Sequence, residues 1–369
     1  MSFIARVGAV LVFSLSAFII SCKNKDKDTS PPKNIEKTEV TGKSESQASL
    51  YPYGTEAGKW GYLDVNGKTV VSADFDMAMK FSDGMARFRK GDKWGYIDAT
   101  GKVVIEPQFE RARDFKSGLA AVRVNRKFGY IDKTGKFVVQ PQFSKLAQAV
   151  SEGLAAVPDS TKKFGYVSVT GQKVIPHKFS NAHEFSEGLA AVEYENKWGF
   201  IDTTGNWVLA PNYVWADKFV DGHSLVRIGL PPHADYALID RKGDVKFRLQ
   251  TLHCKTASEG LMRFELDGKW GFIDRTGKMV IPPTYDAAYD FSEGLAAVRV
   301  GNGWGYINHD NKLVINIEHH VAEEFQGGLA RVTWPGGKWG YIDQTGKRVW
   351  ESAIPGGFSM GSGDVETED

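Results

Sequence analysis

The chain has 369 residues, with 46 Lys plus Arg against 45 Asp plus Glu and a formal net charge of +1. That balance excludes a nucleic-acid binder built on clustered, unopposed cations. The two cysteines, Cys22 and Cys254, are too few for a disulfide framework or a Cys-based zinc site.

Residues 1–21 read as a lipoprotein signal peptide. One basic residue, Arg6, precedes the apolar or small run Val7 to Ile20, and Ser21-Cys22 closes it. That run is shorter than the roughly 20 residues a transmembrane helix needs. Ile19-Ile20-Ser21-Cys22 resembles the bacterial lipobox, in which cleavage leaves Cys22 as the first mature residue, diacylated on sulfur. Several acyl chains on one residue anchor a protein stably, at ~0.8 kcal/mol per buried methylene. Cleavage also removes Arg6, so the mature chain is formally neutral. Residues 22–50 are the acylated cysteine and a polar tether containing Pro31-Pro32, unable to bury enough surface to fold and reaching roughly 30 Å. Lys23 stands where inner-membrane retention uses Asp, so a lipid-anchored envelope protein of the outer membrane is expected.

Residues 51–353 are periodic. An aromatic-Gly-aromatic core recurs from Lys59-Trp60-Gly61-Tyr62 through Trp94, Phe128, Phe164, Trp198, Tyr236, Trp270 and Trp304 to Trp339, at spacings of 34, 34, 36, 34, 38, 34, 34 and 35 residues. Gly-Leu-Ala or a variant starts at Gly84, Gly118, Gly153, Gly188, Gly222, Gly260, Gly294 and Gly328. Fixed periods of this length mean a repeat architecture. Within one unit, Gly118 to Val124 predicts a strand, Phe128 to Asp132 a second, and Lys136 to Val139 a third after the turn at Gly135. Phe143 to Val150 fits either a short fourth strand or a packed loop. No helical periodicity occurs, and the expected class is all-β. Apolar residues on both faces of the unit predict packing on neighbours at both sides.

Lys-Trp-Gly-Tyr-Ile-Asp-x-x-Gly-Lys-x-Val-Ile-x-Pro, followed by Phe-Ser-Glu-Gly-Leu-Ala-Ala-Val, resembles the bacterial WG-repeat (KWG-repeat) lipoprotein family over nearly all of the periodic region. Phe128, Phe164 and Tyr236 depart from the Trp, and Ser168 and Asn308 from the Asp. The resemblance implies an extracytoplasmic repeat scaffold with no established enzymatic activity, and so no catalytic residues to carry over.

Nine tandem ~34-residue antiparallel units of three or four strands fit an open solenoid-like array, the favoured expectation, or a closed β-propeller. The period is short for a propeller blade, usually ~40–50 residues. Nine aromatic-Gly strands face eight Gly-Leu-Ala strands, so the final hairpin is expected to lack its partner. A propeller closes only if Leu50-Tyr51-Pro52-Tyr53 supplies the missing strand. Residues 354–369 read as a disordered acidic tail.

Length variation is uneven. The gaps from each Gly-Leu-Ala glycine to the next aromatic are 10, 10, 11, 10, 14, 10, 10 and 11, while those from each aromatic to the next glycine are 24 apart from a single 25. Insertions confined to one connection mark a binding face in many repeat proteins, or a hairpin tip that tolerates them. The longest such connection includes Leu230, Pro231, Pro232 and His233. Trp215 and His223 in the same degenerate unit, and Trp334 before the last aromatic, complete the candidate ligand-binding residues.

The histidines make no metal pair, and no metal or cofactor is expected. His253-Cys254 sits where other copies have ordinary repeat residues, so it is not assigned as a nucleophile, and no hydrolase elbow or phosphate loop occurs. The Asp before each Gly turn (Asp64, Asp98, Asp132, Asp202, Asp240, Asp274, Asp343) reads as turn-stabilising. The Lys that precedes each aromatic fits either a cationic ladder for an acidic polymer or local neutralisation by the Asp or Glu before Gly-Leu-Ala. The expected function is a monomeric, membrane-anchored, non-enzymatic scaffold binding a protein or glycan at the envelope or surface. The alternative is a peptidoglycan- or polysaccharide-binding structural lipoprotein, and an envelope hydrolase ranks third.

Overall fold

The computed structural model describes residues 49–143, 149–229, 235–251 and 253–355. Cys22, the signal and tether, Leu230 to Ala234, and residues 356–369 lie outside the described residues.

Blade 2 shows the plan. A two-residue strand, Met77–Ala78, pairs with Met85–Lys90, which pairs with Lys93–Asp98, which pairs with Val103–Phe109, all antiparallel. The described residues form nine such sheets of three or four strands. The segment left open between strand and loop in the sequence is thus a short strand in most blades, as at Arg111–Ala112 and Asn181–Ala182. One residue steps from each fourth strand to the next blade's short strand, as Glu110 does between Phe109 and Arg111.

The glycine of each aromatic-Gly pair answers a close approach within its own blade, not between blades. A Cβ on Gly95 would lie 2.5 Å from the Ile105 carbonyl oxygen and 2.8 Å from Pro107 N. There the fourth strand bulges across its partner, as the register shift between Trp94 and Tyr96 records. In several blades an arginine of the second strand covers the aromatic beside the glycine: Arg87 lies 5.2 Å from the Trp94 ring and Arg331 5.4 Å from Trp339.

Alternation sends the two faces of a sheet to two neighbours. Ile97 joins a buried cluster with Tyr62, Phe75 and Ala86 toward blade 1. Tyr96 packs with Ala112, Phe115 and Val122 toward blade 3. Tyr96 and Phe115 meet edge-on at 4.8 Å, and Tyr166–Phe185 and Tyr306–Phe325 repeat this at 4.8 and 4.9 Å. Small residues at Ala78, Ala112, Ala182 and Ala322 let the blades close on each other.

The expected open array is not what forms. Trp60 of blade 1 stacks on Trp339 of blade 9 at 5.9 Å, Tyr51 packs on Tyr341 at 5.4 Å, and Tyr53 meets Trp350 at 5.8 Å. Leu329, Trp339 and Tyr341 share one buried cluster with Leu50, Tyr62 and Phe88. The chain is a closed ring of nine blades, a β-propeller. The hairpin short of a Gly-Leu-Ala strand is the first and not the last, and Tyr51–Gly54 supplies that strand by pairing with Trp60–Leu63. Closure buries two end faces that an open array would leave in water.

Candidate functional site

The strands carry the chain between two rims of different character. One rim holds the Ser-x-Gly-Leu and Asp-x-x-Gly turns, the other the hairpins between second and third strands.

The first rim is bonded blade to blade. Ser82 Oγ donates to the Phe115 carbonyl of the next blade at 2.8 Å, and Ser151, Ser186, Ser258 and Ser292 do the same to Phe185, Phe219, Phe291 and Phe325 at 2.7 Å. The acid that follows each serine accepts a backbone N–H of the next blade. Gly118 donates to Asp83, Gly188 to Glu152, Gly222 to Glu187 and Gly294 to Glu259. Asp83 and Gly84 both take positive φ (51° and 75°), the type I′ geometry of a two-residue hairpin. These acids therefore do not neutralise the Lys ladder. Lys59 pairs instead with Asp76, Lys269 with Asp286 and Lys338 with Glu351, on the hairpin rim.

The turn aspartates act as read from sequence. Asp132 Oδ1 accepts from Thr134 Oγ1 at 2.6 Å and from the N–H groups of Thr134 and Lys136. The Thr134 hydroxyl, then those amides, hold its carboxyl below the usual carboxylate range against partial desolvation.

Near the axis, ion pairs link blades and in two cases skip one. Lys116 of blade 3 meets Glu184 of blade 5, and Lys80 of blade 2 reaches Glu323 of blade 9 at 2.8 Å. Lys218 adds to Glu184, Arg87 pairs with Asp114 and Arg263 with Asp290. Only side chains converging on a common centre span a whole blade, so the two-residue strands face the axis. Burial raises the carboxyls of Asp290 and Glu324 there, and Asp290 raises Glu324 further.

Of the candidate ligand-binding residues, the described ones, Trp215, His223 and Trp334, do not converge. Trp334 is not at a free tip: it is 6% exposed, lies against His319 at 6.1 Å, and carries Arg348 over its ring at 4.3 Å. Trp215 is half-buried against Tyr236 at 6.2 Å on the hairpin side of blade 6. His223 sits on the opposite rim, its Nδ1 2.9 Å from the Asp221 carbonyl oxygen. The two are separated by four strand residues, roughly 13 Å. Cys254 is buried and its thiol is pushed up to about 12, first by desolvation. Exposed His253 points instead toward Glu265 and Trp270. The pair has no reactive thiolate. The described residues contain no group of three or more His, Cys, Asp or Glu placed to hold a metal ion, and no helix among them is long and apolar enough to cross a membrane.

The sequence reading missed a cleft where blade 1 meets blades 2 and 9, lined among others by Ser49, Tyr51, Phe81, Leu329, Arg331 and Tyr341. It lies where blade 1, whose first strand is Tyr51–Gly54, has no two-residue strand in front among the described residues. Its only sequence signal was the unequal number of strands.

No curated protein matches the chain. Among solved structures, it is similar to BamB from Moraxella catarrhalis at 13% identity and TM-score 0.41, covering 72% of this chain and 92% of that one. It is also similar to Sqt1 of Saccharomyces cerevisiae at 9% identity and TM-score 0.39, covering 63% and 82%. The fold rests on the ring-closing contacts above and not on these similarities. The WG containing repeat matches at residues 60–94, 94–128, 128–157, 164–198, 198–229, 270–304 and 304–333. With the WG containing repeat matched over most of the chain, the protein belongs to the WG containing repeat family.

Proposed function

We propose that this protein is a non-enzymatic binding scaffold, held to the membrane through Cys22 and presenting its hairpin rim to a protein or glycan of the cell envelope. One observation carries the reading: three of the four length changes in the repeat fall in the hairpins of one rim. The opposite rim is kept uniform by its serine, carboxylate and turn bonds. Variation concentrated on one face of a rigid ring is what a display surface requires. The insertion at 230–234, in blade 6, is the largest.

The anchor rests on the sequence Ile19-Ile20-Ser21-Cys22 after a short apolar run. Labelled palmitate is expected to enter the full-length protein and to be absent from Cys22→Ala. Deleting 230–234 should abolish retention of purified envelope fractions by the immobilised protein while its thermal unfolding stays unchanged. Unchanged retention would remove that loop from the site. Retention of purified cell wall by both forms would favour the peptidoglycan-binding alternative.

A further inference from the structure

In a regular blade two bonds hold the residue that follows the two-residue strand. Its N–H donates to the second strand of its own blade: Arg113 to the Ala121 carbonyl, His183 to Ala191, Tyr289 to Ala297 and Glu323 to Arg331, each at 2.9 Å. Its carbonyl accepts the tyrosine hydroxyl of the preceding blade: Tyr96 to Arg113, Tyr166 to His183 and Tyr306 to Glu323, each at 2.7 Å. Blade 1 offers the same two partners. Pro52 stands opposite Tyr62 as Ala121 stands opposite Tyr130, and Tyr341 holds the register of Tyr96. Nothing among the described residues comes between them, and the two groups bond to each other: Tyr341 Oη donates to the Pro52 carbonyl at 2.8 Å. Among the described residues no strand takes this place in the cleft beside them.

The occupant is written in the repeat register. Tyr341 opposes Trp350 as Tyr96 opposes Ile105, and Lys338 opposes Pro355 at the end of the last strand. Pro355 thus holds the place of Glu110, the single residue that steps to the next blade's inner strand. Counting on from Trp350 in step with Ile105 puts Gly357 at the small buried position of Ala112 and Met360 at the seat of Phe115. Gly361-Ser362-Gly363 then falls on the turn Lys116-Ser117-Gly118. The chain ahead of blade 1 does not fit. Counting back from Tyr51, Lys43 would take the alanine position and Ser46 the phenylalanine seat. Tyr51 already leans on Tyr341 at 5.4 Å, where a phenylalanine stands in other blades. That leaves room for an unbranched, adaptable side chain such as Met.

We propose that residues 356–363 add to Tyr51–Gly54 as the missing innermost strand of blade 1. Phe358 N–H then donates to Pro52, the Phe358 carbonyl accepts Tyr341, and Met360 enters the cleft. The last segment of the chain thereby ties blade 9 to blade 1 through backbone bonds.

The test is a disulfide across the new pair in the full-length chain. Gly356 falls at the position of Arg111, which opposes Arg123, and Gly54 at that of Arg123. Strand partners lie within disulfide reach, and a Cβ on Gly54 meets nothing closer than 3.5 Å. Gly54→Cys with Gly356→Cys should cross-link within one chain under mild oxidation, at least tenfold faster than Gly54→Cys with Glu368→Cys. Equal rates, a faster cross-link from Gly42→Cys to Gly54→Cys, or a disulfide-linked dimer would each overturn the proposal. A second measurement needs no cysteine. Met360→Asp should lower Tm by about 3 °C or more while Val365→Asp leaves it unchanged, and no effect from Met360→Asp would count against docking.

Discussion

Trp60 and Trp339 stand 279 residues apart in sequence and stack at 5.9 Å with their planes 29° apart. Other aromatics at this position meet rings close by in sequence, Trp198 with His183, Trp270 with His253 and Trp304 with Tyr289, whereas this contact joins the first copy to the ninth and turns a row of sheets into a ring. Trp60 is 8% and Trp339 4% exposed, so both are core residues of the seam.

Removing either ring opens that seam. Trp60→Ala and Trp339→Ala should each destabilise by about 3–5 kcal/mol, read by urea unfolding of the purified protein. The double variant should lose less than the summed singles by about 1 kcal/mol or more, since the rings share a contact. Strict additivity would show that the ends are not joined in solution.

The glycine of the aromatic-Gly pair is fixed by space, and that of Gly-Leu-Ala by backbone angle. Gly95→Ala puts a methyl 2.5 Å from a backbone oxygen, and should cost about 2 kcal/mol or more because the bulged strand has to move. Gly118 has φ +79° and nothing within 4 Å of the added Cβ, so Gly118→Ala should cost only about 1 kcal/mol of left-handed strain. Chemical denaturation of both variants ranks them.

The seam serines act independently. Ser186→Ala removes the bond to the Phe219 carbonyl of the next blade and should cost about 1 kcal/mol. Ser151→Ala and Ser292→Ala, on other seams, should add to it almost fully, as nearest-neighbour energetics require. Comparing Tm for single and triple variants checks this.

Acid should unfold the ring. Thr134 and Thr204 hydroxyls, followed by backbone amides, hold the carboxyls of Asp132 and Asp202 below the usual range. A carboxyl depressed in the folded state leaves the unfolded chain to take protons first. Its stabilisation is therefore complete above the unfolded pKa, about 4, and is lost as pH falls through the folded value. Burial lowers His183 in the folded chain, so stability also declines as pH drops below about 6.5, where the unfolded imidazole protonates first. Asp132→Asn should flatten the slope below pH 4, measured by urea titrations across pH, and leave the His-linked decline untouched.

The repeats, the all-β class, the turn aspartates and the uneven hairpins were legible in the sequence, because each is set within one unit. A glycine beside an aromatic, an aspartate two residues before a threonine amide, and a two-residue alternation are short-range facts. The partner of the acid before Gly-Leu-Ala was not legible, since Asp83 and Gly118 are separated by a full period and meet only when two blades pack. Trp334 read as a loop aromatic for a related reason: what buries it, His319 and Arg348, belongs to two other strands. Ring or open array was decided by tertiary structure alone. Closure depends on the angle between blades summed nine times, and that angle comes from how Tyr96 and Phe115, or Tyr341 and Tyr51, lean together above small alanines. Tyr51–Gly54 bears no likeness to Gly-Leu-Ala; the sequence singled out Leu50-Tyr51-Pro52-Tyr53 only as the strand a closed ring would need, and the pairing with Trp60–Leu63 is what puts it there.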